Sequence, residues 1–193
     1  MEKEVKVQMS IDKIIASRIA ALRNAQQLSL AQLAERSGVS KAMISKVERQ
    51  DSSPTASILG RLASGLGVPL AQLLSSEETE ALSALRRRED QPTWKDPATH
   101  YIRRQIAGLD KVSKSELIEI DLPAGTQVSY PCWHTKPYRQ RLWVLEGSLE
   151  VRYGEDCYAM LAGDLLEFAI DKPISYTADE QHKCRYLLNI LYE

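Results

Sequence analysis

Cysteine is scarce in this chain: Cys132, Cys157 and Cys184 are the only three among 193 residues. An odd number without an export signal fits reduced thiols in a cytoplasm rather than a disulfide scaffold. The N-terminus, MEKEVKVQMS, alternates charge with small apolar residues and lacks the apolar core of a secretory signal. No apolar run approaches the roughly 18–20 residues that cross a bilayer, so a membrane partner is not expected. Internal repeats and low-complexity stretches are missing. So are Gly-x-Ser-x-Gly, a phosphate-binding glycine loop, a zinc-protease helix and any nucleophile-base-acid set. The expectation is a protein that is not an enzyme and needs no cofactor.

What is present is ordinary in bulk and uneven along the chain. At 44% hydrophobic and 26% charged, the composition suits one or two soluble globular domains. The net charge of −1 conceals an asymmetry: residues 1–76 hold ten Lys/Arg against six Asp/Glu, and residues 77–193 hold fifteen against twenty. A basic head on an acidic body points to nucleic acid for the head.

Residues 11–75 predict five short helices. Ile11, Ile15, Ile19 and Leu22 recur at helical spacing. Ser29 precedes Leu30, Leu33 and Ala34, and the run stops at Ser37-Gly38. Ser40 caps a new helix carrying Met43, Ile44 and Val47. Pro54-Thr55 opens the next, which ends at Gly67, and Pro69 starts a last one. Residues 76–91 are charged and read as a linker that would transmit changes between domains, and residues 1–10 as a tail. From residue 92 onward the pattern becomes β, in YIRRQIAG, SELIEIDL, RLWVLEGSLEVRY, YAMLAGDLLEF and CRYLLNILY, with Gly, Pro and Asp between them.

The most specific stretch is SLAQLAERSGVSKAMISKVERQDSSPT, residues 29–55. Ala34 is small where a second helix must approach, Gly38 makes the turn, Val39 plugs the corner, and Ile44 with Val47 anchors the second helix. The other face of that helix projects Lys41, Ala42, Ser45, Lys46 and Arg49 together, as a helix entering a major groove requires. GVSKAMISKVER and SSPTASILGRLASGLGVPLAQLL make residues 11–75 resemble the XRE family, the lambda-repressor and Cro type of helix-turn-helix. The resemblance implies an all-α five-helix DNA-binding domain acting as a homodimer on palindromic double-stranded DNA. Ser40, Lys41, Ala42, Ser45 and Lys46 fall at the family's groove-facing positions. Arg49, Ser52, Ser53 and Thr55 fall in its backbone-contacting loop and the following helix start. Many members clamp a phosphate with Gln where this chain has Leu30, leaving Ser29 or Gln32 as substitutes.

Residues 92–193 resemble the cupin superfamily, through LPAG at 122–125, VLEGSLEV at 144–151 and LAGDLLEF at 161–168, which implies an all-β double-stranded barrel. Metal-binding cupins use two His and a Glu from a first motif and a third His from a second. Aligned on Gly147, the Glu position holds Gln140, the two early His positions hold only His134, and the late position holds Ile174. One His and a neutral amide bind a divalent ion poorly. The interior then reads as a small-molecule pocket, with Gln140, Leu142 and Val144 inward and Trp133, His134, Tyr138, Arg139 and Tyr176 at the mouth or lining. An Arg beside a Gln and a His suits a carboxylate-bearing effector such as an amino acid or organic acid. The chain thus reads as a cytoplasmic transcriptional regulator with a small-molecule effector. Three alternatives stay open: a metal-dependent cupin enzyme with a DNA-binding head, a zinc or thiol sensor using Cys132, His134, His182 and Cys184, and an antitoxin-like regulator whose β domain binds protein.

Overall fold

A computed structural model describes residues 11–74, 84–110, 112–132, 138–169 and 171–192. The five expected helices form: α1 (Ile11–Ala25), α2 (Leu30–Ser37), α3 (Lys41–Glu48), α4 (Ala56–Leu66) and α5 (Leu70–Leu74). Their ends follow from local chemistry. Ser29 accepts the Gln32 N–H while the Gln32 side chain accepts the Ser29 N–H, a reciprocal capping box on α2. Gly38, at φ 65°, takes the left-handed conformation that stops α2, and two residues later Ser40 caps α3. Ile15, Ile19, Leu33, Ile44, Leu59, Leu62 and Leu73 are fully buried where the helices meet. Each such side chain contributes about 1.5–3 kcal/mol relative to an exposed one. No described helix is long and apolar enough to cross a membrane.

Among the described residues, the β domain has ten strands in two antiparallel sheets. The larger sheet runs β1 (Thr93–Lys95), β2 (Ile102–Asp110), β3 (Ser115–Leu122), β10 (Cys184–Tyr192), β5 (Tyr138–Glu146) and β8 (Leu165–Phe168) in that order. The smaller runs β4 (Gln127–Tyr130), β9 (Ile174–Ala178), β6 (Ser148–Tyr153) and β7 (Asp156–Leu161). This is the double-sheet barrel that the cupin resemblance implies. The five quoted segments become strands, and β1, β4 and β9, too short to show an alternation of their own, complete the sheets. Register fixes what faces inward. One row across the larger sheet sets Glu116 beside Ile190, Gln140 and Phe168, and the next but one sets Trp94 beside Arg103, Ile120, Tyr186 and Val144.

The helical head is docked on the barrel. Gly60 of α4 lies against the Tyr130 ring so closely that an added Cβ would stand 2.5 Å from Cδ1. The Asp96 carboxylate, just after β1, accepts the Ala56 N–H at 2.5 Å, and Ser64 donates to the Cys132 carbonyl at 3.4 Å. Within the linker, a single 3-10 turn at Arg88–Asp90 is held to the sheet by Arg88–Glu119 at 3.1 Å. Residues 76–83 of the linker lie outside the described residues, as do residue 75 and the tail at 1–10.

Candidate functional site

Helix α3, which the family resemblance leads one to expect in the groove, is built as its sequence requires. Ile44 and Val47 are buried, and Ser40, Lys41, Ala42, Lys46 and Arg49 are exposed, with Ser45 half-buried beside them. Intramolecular contacts engage some of the candidates. Arg49 pairs with Asp51 at 2.9 Å, Ser53 donates to Asp12 at 2.8 Å, and the Thr55 hydroxyl caps α4 by accepting the Ile58 N–H. Ser52 is half-buried. Ser29 and Gln32, the substitutes considered for a phosphate clamp, are engaged with each other in the capping box.

Behind α3 stands a clamp. Arg23 of α1 meets Glu48, the last residue of α3, with Nε at 2.7 Å and Nη2 at 2.9 Å, and donates from Nη1 to the Leu28 carbonyl at 2.8 Å. The Glu48 hydrogen bond and charge hold the guanidinium above its ordinary value in spite of burial. A planar two-point contact of this kind fixes direction as well as distance. It therefore sets the angle at which α3 leaves the head.

The barrel interior holds a cavity of about 30 Å3, walled by strands of both sheets and on one side by Pro69, Leu70 and Ala71 at the start of α5. Its polar groups are Arg103, Glu116 and Gln140, all buried. Glu116 Oε1 accepts the Tyr192 hydroxyl at 2.7 Å, and Oε2 is buried without a hydrogen-bond partner. Burial pushes the Glu116 carboxyl up, against the opposing pull of the Arg103 charge, the Tyr192 hydroxyl and the nearby Gln105 amide. Burial alone would lower Arg103, but the neighbouring Tyr101 and Glu116 hold it above its ordinary value. Tyr101 and Tyr130 join their hydroxyls at 3.2 Å, and burial raises both phenols. Tyr176 stacks on Tyr186 with ring centroids 5.7 Å apart.

Gln140, Leu142 and Val144 face inward as the alignment on Gly147 implied, and Tyr176 lines the cavity. Arg139 requires a correction. Strand alternation puts it on the outward face of β5, exposed and paired in register with Leu191, away from the interior. The guanidinium inside the barrel is that of Arg103. Trp133 and His134 lie outside the described residues, and of Tyr138 only its place in β5 is described. The four-residue zinc arrangement also fails on geometry. From Gly125, which meets the Asp179 turn, the chain runs through β4 to Cys132, whose thiol donates to the Asp171 carbonyl at 3.2 Å. Cys184 sits at the Gly147 end with the Asp179 turn, so the two cysteines are at opposite ends. His182 stays in that turn, 3.1 Å from Asp179. Among the described residues, no three or more His, Cys, Asp or Glu gather as a metal-binding group.

The HTH_3 helix-turn-helix family model matches residues 19–73. The control protein C.SmaI of Serratia marcescens is 38% identical over 69 residues, covering 36% of this chain and 82% of that one. The chain belongs to the XRE family of helix-turn-helix regulators. A second relative, the HTH-type transcriptional regulator SutR of Escherichia coli K12, is 26% identical over 163 residues, 84% of this chain and 85% of that one. The crystal structure of an HTH_3 family transcriptional regulator from Vibrio cholerae superposes with a TM-score of 0.77 at 25% identity, covering 95% of this chain and 97% of that one. The protein is a transcriptional regulator with a DNA-binding helix-turn-helix head and a cupin-like β domain.

In this XRE regulator the residues of the clamp and of the cavity that sequence reading passed over are Arg23, Glu48, Arg103 and Glu116. Arg23 and Glu48 are 25 positions apart and give no local signal. Arg103 stands in YIRRQIAG beside Arg104, and alternation alone could have separated them: Arg103 is buried in the barrel, whereas Arg104 pairs with Glu119 at 3.3 Å.

Proposed function

We propose that the barrel interior is the effector site of this regulator, and that its effector is a small carboxylate-bearing molecule, an amino acid or an organic acid. One arrangement carries the reading: a cavity with Arg103, Glu116 and Gln140 on its walls is closed on one side by helix α5 of the DNA-binding head. A buried guanidinium beside an amide is suited to a carboxylate. Gln140 and Tyr176 belong to this site, with Arg103 in the place expected of Arg139. The domains are divided as the sequence suggests, with the head at residues 11–75 and the sensor at 92–193.

The head acts as a homodimer on a palindromic operator in the cytoplasm. Ser40, Lys41, Ala42, Ser45 and Lys46 reach base edges and nearby phosphates, and Arg49, Ser52, Ser53 and Thr55 lie along the backbone. Support for a paired β domain comes from Trp143 of β5 beside Leu165 of the edge strand β8, 49% and 59% exposed, and from Leu161 of the other sheet's edge strand β7, 65% exposed. Arg141 and Glu167 pair next to Trp143 and Leu165, so the same face carries both signs of charge and can face a copy of itself. The effector regulates rather than reacts. It shifts operator affinity by binding the two head placements unequally, and a tenfold shift needs about 1.4 kcal/mol.

A thermal-shift screen of amino acids and organic acids on the full chain, followed by footprinting of the mapped operator with and without the stabilising compound, tests this reading. Stabilisation with a changed footprint midpoint is expected. A screen in which no small molecule stabilises the chain would reject it.

A further inference from the structure

The effector reading leaves two chemistries open, an anion and a zwitterion, and Glu116 distinguishes them. This side chain is 1% exposed, and its Oε2 is buried in the cavity wall without a hydrogen-bond partner. A buried acceptor left unmatched by the protein is a place where a ligand's N–H fits. Arg103 faces the same cavity, so one buried positive charge and one buried negative charge already balance. A simple anion would leave excess negative charge next to Glu116, and a simple amine would leave excess positive charge next to Arg103. A zwitterion adds no net charge and supplies both missing partners. The aromatic walls agree, because Tyr130, Tyr176 and Tyr186 present rings on which an ammonium group rests favourably.

Size adds a second constraint. The cavity of about 30 Å3 has room for roughly two water molecules. A ligand of more than a few heavy atoms must push a wall aside. Among the described residues the lining comes from strands of the two sheets, from Tyr101 just before β2, and from Pro69, Leu70 and Ala71 at the start of α5, its one helical part.

On the effector reading, we infer that Glu116 and Arg103 form a two-point site for a small α-amino acid, with its ammonium on Glu116 Oε2 and its carboxylate on Arg103, and that filling it displaces α5. Occupancy is then felt in the head by direct contact, without passing through residues 76–91.

Titration calorimetry of the full chain with glycine, L-alanine and L-serine, against acetate, propionate, methylamine and ethylamine, tests the pairing. At least one amino acid should bind at least tenfold more tightly than every one-group analogue. Glu116→Gln, checked for folding by circular dichroism, should lose at least tenfold in amino-acid affinity while tightening acetate, whose carboxylate no longer meets the Glu116 charge. Hydrogen exchange should show α5 amides opening on saturation. Acetate or propionate binding as tightly as the amino acids would overturn the two-point site and leave the effector reading standing. If none of the seven probes binds and operator affinity does not respond to them, the two-point site is rejected. The wider screen of larger acids then decides the effector reading by itself. Should Glu116→Gln fail to fold, the analogue series on the unaltered chain is decisive alone. Undiminished amino-acid binding by a folded Glu116→Gln would remove Glu116 from the site.

Discussion

Asp96 of the β domain caps a helix of the DNA-binding head: its Oδ2 accepts the Ala56 N–H at 2.5 Å, while Oδ1 accepts the Ala98 and Thr99 N–H groups at 2.8 Å each. The first amide of α4 is one that no helix can satisfy internally. Its acceptor comes from 40 positions downstream. Asp96→Ala strands three backbone donors at a buried site and should cost about 2 kcal/mol. Asp96→Asn keeps acceptor capacity and should cost less. Denaturant unfolding followed by tryptophan fluorescence and by far-ultraviolet dichroism will check this. A single coincident transition in the wild type should separate into two in Asp96→Ala, because the cap ties the domains together.

Two glycines of α4 make opposite predictions from the same substitution. An Ala at 60 would press its Cβ into the Tyr130 ring, at 2.5 Å, and an Ala at 65 would press into Ser37, at 2.7 Å from Cβ and 2.9 Å from Cα. Overpacking of this kind costs about 1–3 kcal/mol. Gly60→Ala strains the contact between head and barrel, so α4 should exchange its amides faster while the helices stay folded. Gly65→Ala strains the packing of α2 on α4 inside the head. It should therefore lower helical content and operator affinity together, as read by circular dichroism and gel-shift titration.

The helices were legible because each carries its own boundary chemistry: Ser29, Gly38, Ser40, Thr55 and Gly67 mark ends within one turn of the residues they serve. The long strands were legible by alternation, and Gln140 could be placed inward by counting from Gly147. What stayed hidden depends on contacts between distant positions. Gly60 reads as a helix-weakening residue until Tyr130, 70 positions on, is set against it. Glu116 reads as one polar residue of an ordinary strand until β3, β10 and β2 bring Tyr192 and Arg103 to it. Arg139 was misplaced because a basic residue next to an inward Gln shares its sequence neighbourhood and not its side of the sheet.

Lys41 and Lys46 stand exposed on α3, and the buried Ile44 and Val47 leave them no structural duty. The Lys41→Ala, Lys46→Ala double variant should fold normally and lose specific operator binding. Each lost phosphate contact should reduce the slope of log affinity against log salt by about one. Arg23→Lys offers a comparison without any DNA contact. It retains the charge, gives up the two-point grip on Glu48 and should weaken specific binding several-fold while the salt slope stays unchanged. Fluorescence anisotropy at four salt concentrations separates the two outcomes.

The three thiols should differ in reactivity, and the alkaline limb of stability should carry a trace of one of them. Cys157 is exposed and Cys132 half-buried, whereas Cys184 is buried in β10. Burial, reinforced by the charges of Asp121 and Glu146, pushes the Cys184 thiol up to about 11. Only the thiolate is alkylated, so native protein at pH 8 should take up iodoacetamide at Cys157 first and at Cys184 only on unfolding, as peptide mass spectrometry will show. The same shift has a thermodynamic sign. A thiol that holds its proton more tightly when folded favours the folded state fully below the ordinary thiol value of about 8.5, and that contribution is lost as pH rises through about 11. Buried tyrosines such as Tyr130 and Tyr186 are raised as well, so the wild-type curve alone mixes several groups. Comparison with Cys184→Ala isolates the thiol: the variant should be less stable at pH 8 through lost packing, and its deficit should shrink steadily between about pH 8.5 and 11. A deficit that stays constant over that range would show that Cys184 does not titrate where its burial places it.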